Sequence, residues 1–148
     1  MGNPYELIIV GGGPAGLSAG LYAARSRLRT LLLERSLLGG QIANAEIVEN
    51  YPGFPDGVSG AELGSLIERQ ATKYGLETTI AEVEGIEISG EEKILTTSEG
   101  QYRTSTVIIA GGSEHGKLGV AGEEEFAGRG VSYCAMCDGA LFRDEVVS

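Results

Sequence analysis

The sequence is poor in several residue types, and each shortage limits what the protein can be. Among 148 residues there are four prolines, two cysteines, one histidine and no tryptophan, and 11 Lys and Arg stand against 21 Asp and Glu. The formal net charge of −10 argues against nucleic-acid binding, because no basic stripe is available to neutralise phosphates. No apolar run approaches the roughly 20 residues that span a bilayer, and the first one leads straight into glycines. We therefore expect no signal peptide, no membrane or nucleic-acid partner and a cytoplasmic protein.

Glycine is the residue type in clear excess. There are 24 glycines, without the prolines or short repeats that would indicate a disordered or fibrous chain. A hydrophobic content of 42% and this chain length allow one globular domain with a proper core. So many glycines in such a chain indicate close approaches of backbone to backbone, or of backbone to a ligand.

A strand–turn–helix pattern opens the chain. A short apolar run at 7–10 predicts a strand, the following glycines predict a tight turn, and an alanine-rich pattern at 14–24 predicts a helix. The segment RTLLLE at 29–34 predicts a buried parallel strand that ends at Glu34. At the turn, the G-x-G-x-x-G motif consists of Gly11, Gly13 and Gly16.

This arrangement is typical of dinucleotide binding. Gly11 permits the turn, Gly13 lets the backbone approach a pyrophosphate, and Gly16 lets helix and strand pack closely. The N-terminus of the helix offers unpaired N–H groups to phosphates. Glu34 follows Gly16 by 18 residues, close to the ~20 expected for an acid that binds a ribose. The alternative is a purely structural turn with a solvated Glu34.

The remainder of the chain predicts further α/β elements. A loop-rich stretch at 36–60 is long enough to indicate a functional loop. Ser59 and Glu62 match a capping box that begins a second helix, and Gly75 matches its C-terminal cap. Four segments predict strands: 76–80, 83–89, 93–98 and 102–112. We expect a three-stranded meander that leads into a buried strand at Val107–Ala110. The fold class is therefore α/β: a Rossmann-like parallel sheet with crossover helices and an antiparallel β-meander.

The two cysteines, Cys134 and Cys137, lie in VSYCAMCDG at 131–139, with Asp138 directly after them. Zinc needs four ligands, and two cysteines with His115 do not supply them. Two inert core cysteines and a redox dithiol both remain open, because free cysteine is often buried, whereas a cytoplasmic C-x-x-C is typical of redox chemistry. Asp138 is either a proton donor and acceptor for thiol exchange or a helix cap.

Taken together, these motifs resemble the N-terminal half of the low-molecular-weight, FAD-dependent thioredoxin reductases. Four stretches occur in that family's order and spacing: LIIVGGGPAGLSAGLYAAR, GGQIANAEIVENYPGFP, GRGVSYCAMCDG and LFRDEVV. The resemblance covers essentially the whole chain. It implies an FAD-binding domain at 1–115, followed at 116–148 by the start of a truncated domain for the pyridine nucleotide and the redox dithiol.

The resemblance also implies residue roles. Cys137 would face the flavin and form the charge-transfer thiolate, Cys134 would attack the disulfide of thioredoxin, and Asp138 would be the general acid and base. Glu34 would hold the FAD ribose, and Val83 would touch the adenine through its backbone. The remaining implied FAD-binding residues are Gly11, Gly13, Pro14, Ala15, Gly16, Arg35, Gly39, Gly40, Gln41, Asn50, Ala110 and Gly111.

Several positions depart from the family pattern. Met136 stands between the cysteines where Thr is usual, and Gly111 also replaces a Thr. Ala45 and Ala121 replace Thr and Pro. Two further residues stay open: His115 as a catalytic or a solvated loop residue, and Tyr51 as a packing residue or a cover for part of the flavin ring.

The resemblance implies electron flow from NADPH through FAD to Cys134–Cys137 and on to thioredoxin, in a homodimeric full-length enzyme. We expect the chain to be an N-terminal fragment, inactive with NADPH by itself, because the second glycine motif of the family does not follow LFRDEVV, and the alternative is a stand-alone remnant. Alternatives are a relative that takes electrons from ferredoxin or serves a peroxidase, and a non-catalytic flavin-binding thiol sensor.

Overall fold

The computed structural model describes residues 5–135, 139–142, 144 and 146. The chain divides into two compact units, Met1–Gly112 and Ser113–Ser148, which we call the sheet unit and the loop unit. Within the described ranges, the helices are too short or too polar to cross a membrane.

The sheet unit contains one six-stranded sheet with two α-helices, of the predicted α/β class. The strand at 76–80, predicted as part of the meander, instead pairs in parallel with the strand that ends at Glu34. The strands are β1 (Tyr5–Val10), β2 (Thr30–Glu34), β3 (Glu77–Ile80), β4 (Val83–Ser89), β5 (Glu92–Thr97) and β6 (Gly100–Ile109). The helices are α1 (Pro14–Arg25) and α2 (Gly60–Thr72), and a short 3-10 helix spans Gly40–Asn44. The strand order is β3-β2-β1-β6-β5-β4. Strands β3, β2, β1 and β6 run parallel, and β6, β5 and β4 are antiparallel.

Two hydrophobic clusters sandwich the parallel strands. On one face Ile9 and Leu32 pack with Leu17 of α1 and Ala71 of α2. On the other face Ile8, Leu31 and Leu33 pack with Ala81 and with Leu95 of the meander. Strand β2 is buried on both faces, which explains its uninterrupted run of leucines.

Helix α2 begins as its sequence predicts. The Ser59 hydroxyl accepts a hydrogen bond from the Glu62 N–H at 3.2 Å, which satisfies one of the free donors at the helix start. The helix ends at Thr72, and Gly75 follows with a φ of +93°, which glycine adopts without strain.

The strand at 102–112 differs from its prediction. Strand β6 is continuous from Gly100, so Val107–Ile109 is the end of a meander strand and not a separate buried one. Val107 packs on the cluster around Ile8, but Ile108 and Ile109 are 38% and 72% exposed. Among the described residues, β6 pairs with β5 only up to Thr104 and from there to Ile109 pairs with β1 alone, so this end of the strand has no neighbour on one side.

Candidate cofactor-binding cleft and redox site

The glycines of the first turn are placed where no larger residue fits. A Cβ on Gly16 would overlap the carbonyl oxygen of Gly11, and a Cβ on Gly11 would overlap that of Ala110. Gly11 also has a φ of +106°, in the region that favours glycine. Gly11 and Gly16 are therefore required by the close contact among β1, α1 and the end of β6.

Helix α1 presents a bare N-terminus at this turn. Gly13 is its N-cap residue with no side-chain hydrogen bond, Pro14 occupies the first turn, and no acidic side chain lies there. Ala15 is exposed. Gly13 also packs against Gly40, since a Cβ on Gly40 would lie 2.8 Å from the Gly13 Cα. Helix dipole and free N–H groups thus favour an anion such as a phosphate at this point.

A cleft of about 170 Å³ lies at the carboxyl ends of the parallel strands. It is lined by Val10, Gly11, Leu33, Glu34, Arg35, Ala81, Glu82, Val83 and Gly111. Five of these nine residues were predicted from the sequence as cofactor-binding positions, and they come from four separate segments of the chain. The carboxyl ends of parallel strands are the usual ligand site of open α/β sheets.

The carboxylate of Glu34 is held at the edge of this cleft. One oxygen, Oε2, accepts a hydrogen bond from the Gly12 N–H at 2.6 Å, and Oε1 accepts one from the Ser36 N–H at 3.0 Å. The side chain is half-buried. Each carboxylate oxygen can accept more than one hydrogen bond, so the group can receive the hydroxyls of a sugar while it stays attached to the glycine turn.

Nine of the predicted cofactor-binding residues do not line this cleft, and Gly39, Gln41 and Asn50 are among them. Gly39 donates its N–H to the Gly12 carbonyl at 2.9 Å and also packs against Gly64 of α2. Gln41 is exposed in the 3-10 helix, and Asn50 is exposed in the loop that holds Tyr51. The Tyr51 ring contacts the Phe54 ring at a centroid distance of 6.2 Å and packs on the cluster of Val48, Val58 and Leu63.

The loop unit carries the described cysteine. Cys134 is half-buried and disulfide-bonded, and its N–H donates to the Ser132 hydroxyl at 3.1 Å. Cys137, Asp138 and Met136 lie outside the described residues. Across the part of the chain that the structure describes, no three or more His, Cys, Asp and Glu side chains are grouped to hold a metal ion.

Glu123 is the buried acid among the described residues of the loop unit. Its Oε1 accepts hydrogen bonds from the Leu118 N–H and the Tyr133 hydroxyl, each at 2.8 Å, and its Oε2 accepts one from the Gly119 N–H at 2.7 Å. The Leu118 N–H is the main reason that the pKa of Glu123 is lowered. The same carboxylate, through its hydrogen bond, raises the pKa of Tyr133. His115 stacks on the Tyr133 ring.

Comparison with known proteins identifies a family whose match includes residues of both units. The family described as pyridine nucleotide-disulphide oxidoreductases matches residues 5–145. The chain belongs to this family. The match extends from the first strand of the sheet unit to beyond Cys134 of the loop unit.

Relatives within the family are thioredoxin reductases. The enzyme of Bacillus subtilis is 46% identical over 139 residues, which cover 94% of this chain and 44% of the relative. The solved thioredoxin reductase of Streptococcus pyogenes is 46% identical, with a TM-score of 0.84 over 95% of this chain and 45% of that one. A ferredoxin-flavin thioredoxin reductase from Clostridium acetobutylicum is 37% identical, with a TM-score of 0.69 over 94% of this chain and 48% of that one. The chain thus spans somewhat less than half the length of these family members.

Sequence reasoning missed Ala81 and Glu82, which line the cleft beside Val83. Ala81 donates its N–H to the Glu34 carbonyl at 2.8 Å, and the Glu82 N–H donates to the Ser98 hydroxyl at 3.2 Å. The signal for both was their position directly after β3, at the same sheet edge as Glu34. Sequence reasoning also missed Glu123. The segment GEEEF has the composition of a solvated charge run, and the sequence does not show which of the three adjacent acids turns inward.

Proposed function

We propose that the sheet unit is the FAD-binding part of a flavin-dependent disulfide reductase of the thioredoxin reductase type. Thioredoxin reductases depend on FAD and use NADPH. The observation that carries the proposal is the cleft, in which Gly11, Glu34, Arg35, Val83 and Gly111 line one space next to a bare helix N-terminus.

The residues present suit FAD. The N-terminus of α1, with Gly13, Pro14, Ala15 and Gly16, would hold the pyrophosphate, and Glu34 would accept hydrogen bonds from the ribose hydroxyls. Val83 and Arg35 would border the adenine, and Ala110 and Gly111 would lie alongside the cofactor. Gly39, Gly40, Gln41 and Asn50 would contact its remaining part. When bound, FAD supplies two-electron redox chemistry to the site.

The domain assignment follows the same reasoning. Residues 1–115 would form the FAD-binding domain, and 116–148 would begin the domain that carries the redox dithiol and receives the pyridine nucleotide. The division of the chain into compact units after Gly112 lies three residues from this boundary and supports it.

In the intact protein, Cys134 and Cys137 would exchange with the disulfide of thioredoxin. We assign the attack on the partner to Cys134 and the position towards the flavin to Cys137, with Asp138 as acid and base. The disulfide-bonded state of Cys134 supports a dithiol that cycles between thiol and disulfide. The intact enzyme would act as a homodimer in the cytoplasm.

The cofactor assignment is tested by purifying the intact protein. It should be yellow and release FAD, identified by mass and fluorescence, on denaturation. A protein that copurifies with no flavin, and takes up none from added FAD, contradicts the assignment.

A second donor is a specific alternative to NADPH. The similarity to a ferredoxin-flavin thioredoxin reductase supports ferredoxin in this role. Reduction of the bound flavin by NADPH alone, without ferredoxin, would exclude the alternative, and reduction only by reduced ferredoxin would establish it.

A further inference from the structure

The loop unit contains an interaction that the proposed chemistry does not use. Tyr133 directly precedes Cys134, and its hydroxyl donates to the buried carboxylate of Glu123 at 2.8 Å. The same carboxylate accepts the N–H groups of Leu118 and Gly119. One side chain therefore joins the segment at 118–119 to the residue before the cysteine.

A ring contact supports this connection from a second direction. His115 lies against the Tyr133 ring with a centroid distance of 5.6 Å and an interplanar angle of 16°. The Tyr133 side chain is thus held at its hydroxyl by Glu123 and at its ring by His115. Both partners come from the segment 113–123, which has no helix or strand of its own.

Backbone hydrogen bonds close the turn that precedes Tyr133. The Val131 N–H donates to the Phe126 carbonyl at 2.9 Å, and the Gly128 N–H donates to the Val131 carbonyl at 2.9 Å. With the Cys134 N–H on the Ser132 hydroxyl, the backbone on the N-terminal side of Cys134 is restrained at successive points. Glu123 is the buried charged group in this arrangement.

We propose that Glu123 and Tyr133 are positioning residues for Cys134, and that their hydrogen bond sets how readily the disulfide of Cys134 is reduced. The proposal depends on the proposed function only in taking Cys134 as a redox-active thiol. A disulfide closes more readily when its two sulfurs are held at a high effective concentration. Freeing Tyr133 loosens the segment before Cys134 and lowers that concentration, so the disulfide becomes easier to reduce.

Single-group substitutions in the intact protein test this. Tyr133→Phe removes the hydroxyl and keeps the ring on His115, and Glu123→Gln removes the charge and keeps the shape. Glu124→Gln is the matched control. It makes the same chemical change one residue further on, in an acid whose ion pair with Lys117 is on the surface.

The measurement is the midpoint of disulfide reduction in mixtures of reduced and oxidised dithiothreitol. In this exchange dithiothreitol gives two electrons and two protons, the protein S–S bond breaks, two protein thiols form, and dithiothreitol closes into its cyclic disulfide. The fraction of reduced thiols is measured by alkylation and mass spectrometry, so the absorbance of a flavin does not affect the result. The melting temperature of each variant is measured in parallel.

We expect Tyr133→Phe and Glu123→Gln each to lower the ratio of reduced to oxidised dithiothreitol at the midpoint. The expected change is about two- to tenfold, the range that corresponds to one hydrogen bond. The double variant should shift no further than the larger single one, because both substitutions break the same bond. Glu124→Gln should have the same midpoint of disulfide reduction as the wild type. If Glu123→Gln does not fold, Tyr133→Phe decides the question.

Three results would overturn the proposal, and they separate its failure from the failure of the proposed function. If Tyr133→Phe keeps the wild-type midpoint, or if Glu124→Gln shifts as far as Glu123→Gln, the positioning role is wrong while the redox role of Cys134 stands. If Cys134 of the wild type does not pass between thiol and disulfide at any ratio, the proposed function itself fails.

Discussion

The two units hold their candidate functional residues by different means. In the sheet unit the cleft is shaped by backbone contacts: Gly11 and Gly16 lie where a single methyl group would overlap a carbonyl oxygen. In the loop unit the segment before Cys134 is held by side chains, through Glu123 and Tyr133. A binding cleft built on backbone packing fails together with the fold, whereas a thiol segment held by hydrogen bonds can change its reactivity while the fold persists.

The largest effect is expected for Gly16→Ala. The added methyl group meets the backbone of Gly11, which cannot move aside as a side chain can, so α1 must shift away from β1. We expect a loss of about 3 kcal/mol or more in the free energy of unfolding, at the upper end for overpacking, together with loss of FAD binding. Urea denaturation checks the first and flavin titration the second. Gly85→Ala in β4 is the control, because no heavy atom lies within 4 Å of its added Cβ, and equal destabilisation there would contradict the account.

A smaller effect is expected for Glu34→Ala. The substitution removes a carboxylate that borders the cleft, so FAD binding should weaken by about 1.5–3 kcal/mol, the value for hydrogen bonds to a charged group. Titration of the apoprotein with FAD measures it, and Glu87→Ala on the exposed part of β4 serves as the control. An unchanged affinity would mean that Glu34 supports the Gly12 turn without holding the ribose.

Lowering the pH should destabilise the loop unit, because it protonates the carboxylate of Glu123. Its pKa is lowered by the hydrogen bonds it accepts, first of all from Leu118, so the folded unit favours the ionised carboxylate. The stabilisation is present above the ordinary Glu value of about 4.3 and is lost as the pH falls through the lower pKa of the folded state. The amide resonances of Leu118 and Gly119 should shift in that range. Glu123→Gln should abolish this titration, and its persistence in the variant would assign it to another group.

The smallest effect is expected for Gly111→Thr, which restores the residue usual in thioredoxin reductases. Gly111 lines the cleft, but no atom lies within 4 Å of an added Cβ and its φ is not in the left-handed region. We expect FAD affinity to stay within about threefold of the wild type, less than the loss of one typical hydrogen bond. A large loss of affinity would show that the cleft is tighter at Gly111 than the geometry indicates.

Much of the sheet unit could be predicted from the sequence, because its signals are local. The spacing of Gly11, Gly13 and Gly16 and the acid at Glu34 identify a strand–turn–helix–strand unit whose geometry is nearly fixed. Pairing between distant strands is less visible. The stretch 76–80 reads like the strands of the meander, yet it pairs in parallel with β2, and the exposure of Ile109 follows from the end of the pairing between β5 and β6 at Thr104.

In the loop unit, the sequence predicted the C-x-x-C motif but not the contacts around it. C-x-x-C identifies the redox candidate without reference to the fold. The inward turn of Glu123 depends on hydrogen bonds from Leu118, Gly119 and Tyr133, the last ten residues away, in a segment without the periodicity that reveals helices and strands. The sequence of three adjacent glutamates carries no signal for these contacts.

The central claim is that the intact protein passes electrons to a partner disulfide through Cys134. The most direct measurement uses a thioredoxin whose single site cysteine carries a thionitrobenzoate group, which an attacking thiolate displaces to leave a stable mixed disulfide. The Cys137→Ser variant should release thionitrobenzoate and form the covalent complex through Cys134. The Cys134→Ser variant should form little or none. Trapping through Cys137 alone would reverse the assignment, and trapping in neither variant, with FAD bound in both, would contradict the account.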